Sequence, residues 1–588
     1  MKIVFCTTPI RPVPTSYPPI AITTLMDHLA KAGYQSSFYD IDALRPKFED
    51  VVAYFAKEQP DLLCISAVVS TAYRYTKEFT NAVKKVSPKT KLVLGGNLAA
   101  SSEILLRKTP LDVCVIGEGE IVLLNLVKHF ERFGDFLPRE ELSKIKGISF
   151  LKNGELIFTG YEAPLPASEL PQPNFDILEK YSDITRFIRD PLVNPFFAHD
   201  PRTQQPHRKG MKESMVMTAK GCVSRCTFCH RWDKGYRPYL VEDIVEQVKY
   251  LKEKHNVGFF CLDAENFGSD RKQVDALIKE IKPLDVLFYV AGIRVSTVDR
   301  NSDVIQRLRD AGCVTMIFGM ESGSSKILQI MEKGATAEQN ATIAKKLSSE
   351  GMYTIVQLVL GMPGENDQTI RETIEFAKLA TEDMSEIPYE RLSVNLFQAL
   401  PGTPGYEFMR ERGMIGNTLE DEEAYLLQIS DVDASAWEHY KNISEASPER
   451  VALWGQTIIR EATINWYKKR GWKPLPVTEN MEDGRIKDYA RGGYFRILKP
   501  GKGQSIYYWW TYDKFRWLID PFRLFNVRRR LYGLSKAIFL TLRIVPEEDR
   551  SHFKVEETKS LRKIVTYQTP EQATSVSEAS MIPLRMGR

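Results

Sequence analysis

The sequence predicts an α/β protein with two successive βα-repeating halves and a mainly helical C-terminal region. Short apolar runs alternate with amphipathic stretches over residues 1–140, and the same rhythm restarts at 214 and continues to about 405. Such runs, bounded by amphipathic helices, are typical of buried parallel strands. The chain has 588 residues. We therefore expect about two to four domains, because one hydrophobic core rarely serves so long a chain.

The first half, residues 1–140, predicts a doubly wound sheet. Its strands are expected at 3–6, 36–39, 62–69, 91–94 and 113–116, and its helices at 19–33, 45–58, 71–86 and 100–108. Ligands of such sheets bind beyond the carboxyl ends of the strands. The polar and small residues at those ends are Thr7, Ser66, Gly95, Gly96, Asn97, Gly117 and Glu118. No GxGxxG motif is present, so the usual dinucleotide fingerprint is missing.

The second half follows a Pro-rich segment, 141–213, which we expect to form a hairpin and an extended linker. Strands are then predicted at 214–219, 258–263, 288–294, 314–319, 354–361 and 392–399. Helices are predicted at 240–255, 270–281, 302–311, 338–350 and 367–381. Six βα units in a row over 214–405 indicate a barrel or partial barrel, with its chemistry at the C-terminal ends of the strands.

The C-terminal region, 406–565, loses this rhythm and is expected to be helical and to shape a substrate pocket. One long amphipathic helix is predicted at 448–471, with Gly471 ending it. Residues 505–545 mix aromatic and basic side chains, which suits a membrane interface, stacking on nucleic acid, or an aromatic packing helix with a solvated basic face. The composition favours the last. The polar tail, 566–588, is predicted to be disordered.

The composition of the whole chain excludes some classes of protein. A net charge of +4 does not require a nucleic-acid partner. No run supplies the ~20 apolar residues of a membrane-spanning helix, and the N-terminus lacks the apolar core of a secretory signal. Single cysteines inside apolar runs are typical of a reduced compartment, so we expect a cytoplasmic protein. They are Cys6, Cys64, Cys114, Cys261 and Cys313.

The other three cysteines lie together in GCVSRCTFCH, residues 221–230, as Cys222, Cys226 and Cys229. Closely spaced thiolates bind zinc or iron–sulfur clusters. A closed zinc site usually takes two separated pairs of ligands, and no second pair is present, although a distant His could complete a three-thiol site. A four-iron cluster prefers four cysteines, so three would leave one iron open for substrate or cofactor.

The CxxxCxxC spacing after the first barrel strand, with Phe228 before the third cysteine, resembles the radical S-adenosylmethionine (SAM) enzymes. The resemblance implies a partial (β/α)6 barrel and a [4Fe–4S] cluster on Cys222, Cys226 and Cys229, with SAM on the fourth iron. Reductive cleavage of SAM would then give a 5′-deoxyadenosyl radical that abstracts hydrogen from a substrate carbon. Six later stretches also resemble this family: CLDAENF (261–267), GIRV (292–295), FGMESGS (318–324), MEKG (331–334), LVLGMPGE (358–365) and NLFQALPGTP (395–404). The implied SAM contacts are Phe228, Asp263, Glu265, Arg294, Glu321, Ser322, Gly361 and Met362.

The first half resembles the cobalamin-binding domain that precedes this barrel in one subgroup, whose sheet is flavodoxin-like. The similarity lies in residues 17–42, LGGNLAASSE (94–103), VIGEGE (115–120) and LPQPNFDIL (170–178). It implies a cobalamin site at Thr7, Ser66, Gly95, Gly96, Asn97, Gly117 and Glu118. The DxHxxG segment of many cobalamin proteins is absent, and no His occurs between His28 and His129. The lower cobalt face would therefore lack a His.

These resemblances imply a cobalamin-dependent C-methyltransferase that acts on an unactivated carbon of a metabolite, lipid or tetrapyrrole. One alternative is a radical SAM cyclase, oxidase or rearrangement enzyme of the same architecture. Another is a non-enzymatic, metal-stabilised binding protein. The expected partners are a small-molecule or lipid substrate and a one-electron reductant of the flavodoxin or ferredoxin type. Nucleic acid is not expected, and peripheral membrane contact would use 505–545. No general base is assigned.

Overall fold

The first sheet has seven strands. They are β1 (Ile3–Thr7), β2 (Ser36–Tyr39), β3 (Leu62–Ser66), β4 (Lys91–Gly95), β5 (Val113–Val115), β6 (Ile148–Lys152) and β7 (Glu155–Phe158). Their order is β2-β1-β3-β4-β5-β6-β7. The first five are parallel, in the 2-1-3-4-5 order of flavodoxin-like sheets, which confirms the predicted fold class. The hairpin β6–β7 extends the sheet with antiparallel strands.

These coordinates are a computed structural model that describes residues 1–230, 235–299, 303–386, 388–430 and 440–471, and two short strands beyond them. The helices of the first part are α1 (Ile20–Lys31), α2 (Ile41–Leu44), α3 (Phe48–Glu58), α4 (Tyr73–Val86), α5 (Ser102–Lys108), α6 (Glu120–Phe133) and α7 (Arg139–Leu142). α2, α6 and α7 add to the predicted set. The third strand is shorter than predicted, because the chain turns after Ser66 into a 3-10 turn at Ser70–Ala72.

The segment between the sheets carries two short helices, α8 (Phe175–Tyr181) and α9 (Pro195–Ala198). Phe197 of α9 is fully buried, with its ring 5.2 Å from that of Phe259 and 5.4 Å from that of Tyr289. These partners lie near the starts of two strands of the second sheet. The connecting segment therefore fills the lumen of the second sheet at its N-terminal end.

The second sheet has strands β8 (Lys212–Lys220), β9 (Arg237–Pro238), β10 (Val257–Ala264), β11 (Leu287–Ile293), β12 (Cys313–Glu321), β13 (Tyr353–Leu360) and β14 (Leu392–Leu396). Six parallel strands follow one another in the order β14-β13-β12-β11-β10-β8, and the short β9 pairs antiparallel with β8. Within the described ranges β14 and β8 do not pair. The sheet is therefore an open, partial barrel with the predicted strands.

Helices α10 (Val241–His255), α11 (Arg271–Ile281), α12 (Val295–Asp299), α13 (Val304–Asp310), α14 (Ser325–Ile330), α15 (Ala337–Ser349) and α16 (Asp367–Thr381) connect these strands. The C-terminal helices are α17 (Pro404–Glu411), α18 (Leu419–Ile429) and α19 (Pro448–Lys469). α19 confirms the predicted long helix, and Gly471 beyond it has the left-handed φ of +79° that suits a glycine after a helix. The short strands β15 (Asp488–Ala490) and β16 (Tyr494–Arg496) pair antiparallel.

The C-terminal helices pack on both halves of the chain. Glu423 of α18 accepts a hydrogen bond from the Tyr73 hydroxyl at 2.6 Å and forms an ion pair with Lys77 at 2.5 Å. Helix α19 packs along α16. Among the described helices, none has the length and apolar character to cross a bilayer. The predictions for 505–545 and 566–588 lie outside the described residues.

Candidate functional site

One cavity of about 330 Å³ opens at the C-terminal ends of the second-sheet strands. The segment 221–230, hereafter the cysteine loop, forms one wall, and the ends of β10, β11 and β12 form the other. Its lining residues are Cys222, Ser224, Arg225, Cys226, Phe228, Cys229, His230, Glu265, Gly292, Ile293, Arg294, Gly319, Glu321, Lys333, Gln357, Gly402 and Pro404. The fold therefore brings all three clustered cysteines to the edge where parallel α/β sheets place their chemistry.

Thr227, at the centre of the cysteine loop, anchors it to the second half of the chain. It is fully buried, and its backbone N–H donates to the Met331 carbonyl at 2.9 Å while its hydroxyl donates to the Ile330 carbonyl at 3.0 Å. The Gly405 N–H in turn donates to the Thr227 carbonyl at 3.1 Å. Because these bonds are made by Thr227, the neighbouring Cys226 and Phe228 side chains are left to face the cavity.

The Cys226 thiol is in an environment that disfavours its ionisation, because burial raises its pKa. Thiolates are the form that binds metals. A bound metal centre would favour the thiolate form of Cys226, as it does in metal sites whose assembly releases protons.

The donor set of the cysteine loop fits a [4Fe–4S] cluster. In a four-iron cluster each cysteine ligates a different iron, so three sulfurs around one cavity are what the cluster requires. Cys222, Cys226 and Cys229 would hold it, as predicted from their spacing.

An ion pair crosses the cavity wall opposite the cysteines. Lys333 Nζ lies 2.8 Å from Glu321 Oε1, and the two side chains are only 13% and 9% exposed. Burial opposes the charge on Lys333, but the charge of the neighbouring Glu321 outweighs it and raises the pKa of Lys333. The Arg294 guanidinium donates to the Lys333 carbonyl. The cavity therefore offers both positive and negative groups to a zwitterionic ligand such as SAM.

The predicted SAM residues divide into two sets. Phe228, Glu265, Arg294 and Glu321 line the cavity. The other four, Asp263, Ser322, Gly361 and Met362, do not line the cavity.

Asp263 lies two residues before Glu265 in the sequence. Burial raises the pKa of the Asp263 carboxyl group to about 6. Ser322 is fully buried, with its hydroxyl 3.2 Å from that of Thr373. The backbone N–H groups of Gly361 and Met362 both donate to the buried Glu365 carboxyl group. The assignment of these four residues to SAM stays a prediction.

Several cavity residues were not predicted as part of the site. Lys333 lies in MEKG, one of the stretches that resemble the radical SAM enzymes. Gly292 has a φ of +70°, and a Cβ there would lie 2.3 Å from the Ala264 carbonyl oxygen, so this close approach of two strand ends requires glycine. Gln357 carries no local signal, because only the packing of separate strands brings it to the cavity.

The predicted cobalamin edge lies at the carboxyl ends of β1, β3, β4 and β5. Thr7 is buried, with its hydroxyl donating to Asp40 at 2.8 Å. Ser66 and Gly95 accept backbone hydrogen bonds from Thr8 and Ala67. Gly96 is exposed with a φ of +92°, and a Cβ there would lie 2.4 Å from the Ala67 carbonyl oxygen.

The remaining predicted residues of this edge are Asn97, Gly117 and Glu118. Asn97 is partly exposed and begins a 3-10 turn, Asn97–Ser101. Gly117 has a φ of +93°. The Glu118 carboxylate is paired with Arg237 and Lys220 of the second half. Its assignment to cobalamin, like the others at this edge, stays a prediction.

The two edges meet at Gly402. A Cβ at Gly402 would lie 3.1 Å from His230 Nε2 and 3.2 Å from the Ala100 side chain. His230 ends the cysteine loop, and Ala100 lies in the 3-10 turn after β4. The predicted cobalamin edge is therefore directly beside the cavity that holds the cysteines.

Two family models match the chain. Residues 8–127 match the B12 binding domain, and residues 216–377 match the radical SAM superfamily. The chain therefore carries a radical SAM domain with a B12 binding domain ahead of it. These two domains imply a [4Fe–4S] cluster, SAM and cobalamin as cofactors.

Two curated relatives are distant in sequence. The chain is 26% identical over 407 residues to an anaerobic magnesium-protoporphyrin IX monomethyl ester cyclase of Cereibacter sphaeroides, covering 68% of this chain and 61% of that protein. It is 26% identical over 413 residues to an uncharacterized methyltransferase of Pyrococcus horikoshii, covering 68% of this chain and 80% of that protein. The chain thus spans less than two thirds of the first relative.

Among solved structures, the radical SAM methyltransferase TsrM from Kitasatospora setae, with cobalamin and a [4Fe–4S] cluster bound, is similar. The TM-score is 0.53 with 17% identity, covering 71% of this chain and 76% of that one. At this identity the likeness concerns the fold alone.

Proposed function

We propose that the protein is a cobalamin-dependent radical SAM methyltransferase that acts on an unactivated carbon of a small molecule. The observation that supports it most is the junction at Gly402, which sets the predicted cobalamin edge beside the cavity with the three cysteines. A methyl group carried at one edge would need only a short path to a substrate carbon activated at the other.

When bound, the cluster and cobalamin would supply the electron that cleaves SAM and the carrier of the methyl group. The protein's own residues bind, orient and shield these groups. Cys222, Cys226 and Cys229 ligate, and the hydrogen bonds of Thr227 hold the loop in place. Lys333 and Glu321 are the groups that we expect to meet the carboxylate and the hydroxyl or amino groups of SAM, because both charges face the cavity.

A second candidate is a radical SAM cyclase of the same architecture. It is favoured by the similarity to the Cereibacter sphaeroides cyclase, which extends over 68% of this chain. The two candidates share the cluster, SAM and the fold, and they differ in whether the cobalamin edge transfers a methyl group.

One experiment separates them. The protein is reconstituted anaerobically with iron and sulfide, given SAM and titanium(III) citrate, and assayed for 5′-deoxyadenosine and S-adenosylhomocysteine with and without added hydroxocobalamin. We expect 5′-deoxyadenosine in both conditions and S-adenosylhomocysteine only with cobalamin. 5′-Deoxyadenosine without cobalamin-dependent S-adenosylhomocysteine supports the cyclase. The absence of both products contradicts each proposal.

The substrate class and the other partners are further proposals. A metabolite, lipid or tetrapyrrole would enter the cavity beside Gln357 and Gly402, and a flavodoxin- or ferredoxin-type protein would supply the electron. Cytoplasmic localisation and peripheral membrane contact through 505–545 are proposed on the composition of the sequence. Co-sedimentation with anionic vesicles tests the latter, and a protein that stays wholly in the supernatant contradicts it.

A further inference from the structure

A buried network of four charged side chains joins the two halves of the chain. The Arg237 guanidinium donates from both terminal nitrogens to the two oxygens of the Glu118 carboxylate. Lys220 Nζ lies 3.2 Å from Glu118 Oε2 and 3.0 Å from Glu120 Oε1. Arg237 also donates to the Leu165 carbonyl at 2.6 Å. The network therefore contains a forked, two-bond pair and a lysine shared by two carboxylates.

The network is well shielded from water. Glu118 and Glu120 are 10% and 6% exposed, and Arg237 and Lys220 are 13% and 22% exposed. The two acids and two bases balance, as buried charges must, since an unpaired charge in such a place is strongly unfavourable. The forked geometry of an arginine on a carboxylate also fixes the relative orientation of the two side chains.

The place of these residues in the chain gives the network its significance. Lys220 is the last residue of β8, two positions before Cys222, and Arg237 stands opposite it in β9. These two residues are the ends of the segment that contains the whole cysteine loop. Glu118 and Glu120 belong to residues 117–120, which follow β5 at the predicted cobalamin edge and which we call the GEGE loop. One carboxylate of the first half thus holds both ends of the cysteine-bearing segment.

We propose that Glu118, supported by Glu120, is a positioning residue that sets the cysteine loop relative to the cobalamin edge. The inference rests on the proposed function, in which these two loops hold the two cofactors. Glu118 then acts through Lys220 and Arg237, and its carboxylate does not bind cobalamin. Loss of the pairing releases the ends of the cysteine loop while the sheets on either side stay folded.

Hydrogen exchange in the anaerobically reconstituted protein tests the tie directly. We expect Glu118→Gln and Arg237→Gln each to speed amide exchange in 221–230 about tenfold, the size expected for losing charged hydrogen bonds. Amides of β1, β3 and β4 should keep their protection. If Glu118→Gln lowers protection throughout the first sheet, Arg237→Lys replaces it as the test. This variant keeps the positive charge but loses the two-bond pair with Glu118, and it should also speed amide exchange in 221–230.

Two comparisons distinguish the tie from general destabilisation. The double variant Glu118→Gln/Arg237→Gln should speed exchange in 221–230 by less than the sum of the two single effects, because both single variants break the Glu118–Arg237 pair. Glu103→Gln, which removes the more exposed pair with Arg107 in the same half, should leave this exchange unchanged. Wild-type exchange in both single variants, or additive effects in the double variant, would overturn the proposal.

A pulsed electron paramagnetic resonance (EPR) measurement links the tie to the cofactors. With cob(II)alamin and the reduced cluster both present, the cobalt–cluster distance distribution should be narrow in the wild type and broadened in Glu118→Gln and in Arg237→Gln. An unchanged distribution counts against the positioning role. If the wild type retains no cob(II)alamin, the proposed function fails, and the exchange comparison still decides whether the ion pairs hold the cysteine loop.

Discussion

Cys226 lines the cavity, whereas its neighbour Thr227 makes the hydrogen bonds that hold the cysteine loop. Cys226→Ala should therefore remove a cluster ligand without loosening the loop. We expect the variant to lose most of its iron and the EPR signal of the reduced cluster after anaerobic reconstitution. Cys64→Ala, a buried cysteine of β3, should keep both. A Cys226→Ala protein with a full cluster signal would contradict the ligand assignment.

The ion pair between Lys333 and Glu321 should stabilise the folded protein. Removing one partner of a buried ion pair commonly lowers the free energy of unfolding by ~3–5 kcal/mol. For Lys333→Met we expect about 2 kcal/mol, because the pair borders an open cavity. Urea unfolding at neutral pH measures the loss. Lys378→Met removes the exposed pair with Glu375 and should cost below ~1 kcal/mol. Equal losses in the two variants would show that the cavity pair is not energetically distinct.

At the scale of the element, the turn after β13 depends on a protonated carboxyl group. Glu365 is fully buried and accepts hydrogen bonds from the N–H groups of Gly361 and Met362, and burial raises the pKa of Glu365 to about 8. The folded state thus keeps a proton that the unfolded chain loses above its ordinary pKa of 4.5. This contribution to stability therefore falls as pH rises from about 4.5 to about 8.

Glu365→Gln should remove that dependence, since glutamine stays neutral and its oxygen can still accept both N–H bonds. The wild type should lose stability relative to the variant by up to about 1.4 kcal/mol per pH unit below pH 8. The carboxyl group of Asp263, whose pKa burial raises to about 6, is present in both proteins and therefore cancels in the comparison. Urea unfolding from pH 6.5 to 8 measures it, and parallel profiles would refute the buried, protonated state of Glu365.

For the whole molecule, most of the architecture could be predicted from the sequence. Buried parallel strands show as apolar runs, so the five parallel strands of the first sheet and the six of the second were predicted nearly at their bounds. The spacing of the three cysteines likewise predicted the residues that would hold the cluster, and these residues line one cavity. The hairpin β6–β7 was expected only as a connection, because its pairing with β5 is a long-range contact that no local pattern encodes.

The parts of the site that escaped prediction are those made by tertiary packing. Gln357 reaches the cavity only because β13 stands beside β12, and Gly402 is where the His230 and Ala100 segments meet. Glu118 was predicted as a cobalamin contact from its position after β5, yet its ion pairs lie across the junction of the two halves. Sequence position indicates the sheet edge a residue occupies, whereas its partner depends on the other domain.

The central claim is that three cysteines leave one iron of a cluster open to SAM. Electron–nuclear double resonance of the anaerobically reconstituted, reduced protein with SAM labelled at its amino nitrogen or carboxylate oxygens tests it most directly. We expect hyperfine coupling of the labelled nuclei to the cluster in the wild type. A protein that binds zinc in place of iron, or a cluster signal with no coupling to the labelled SAM, would contradict the account.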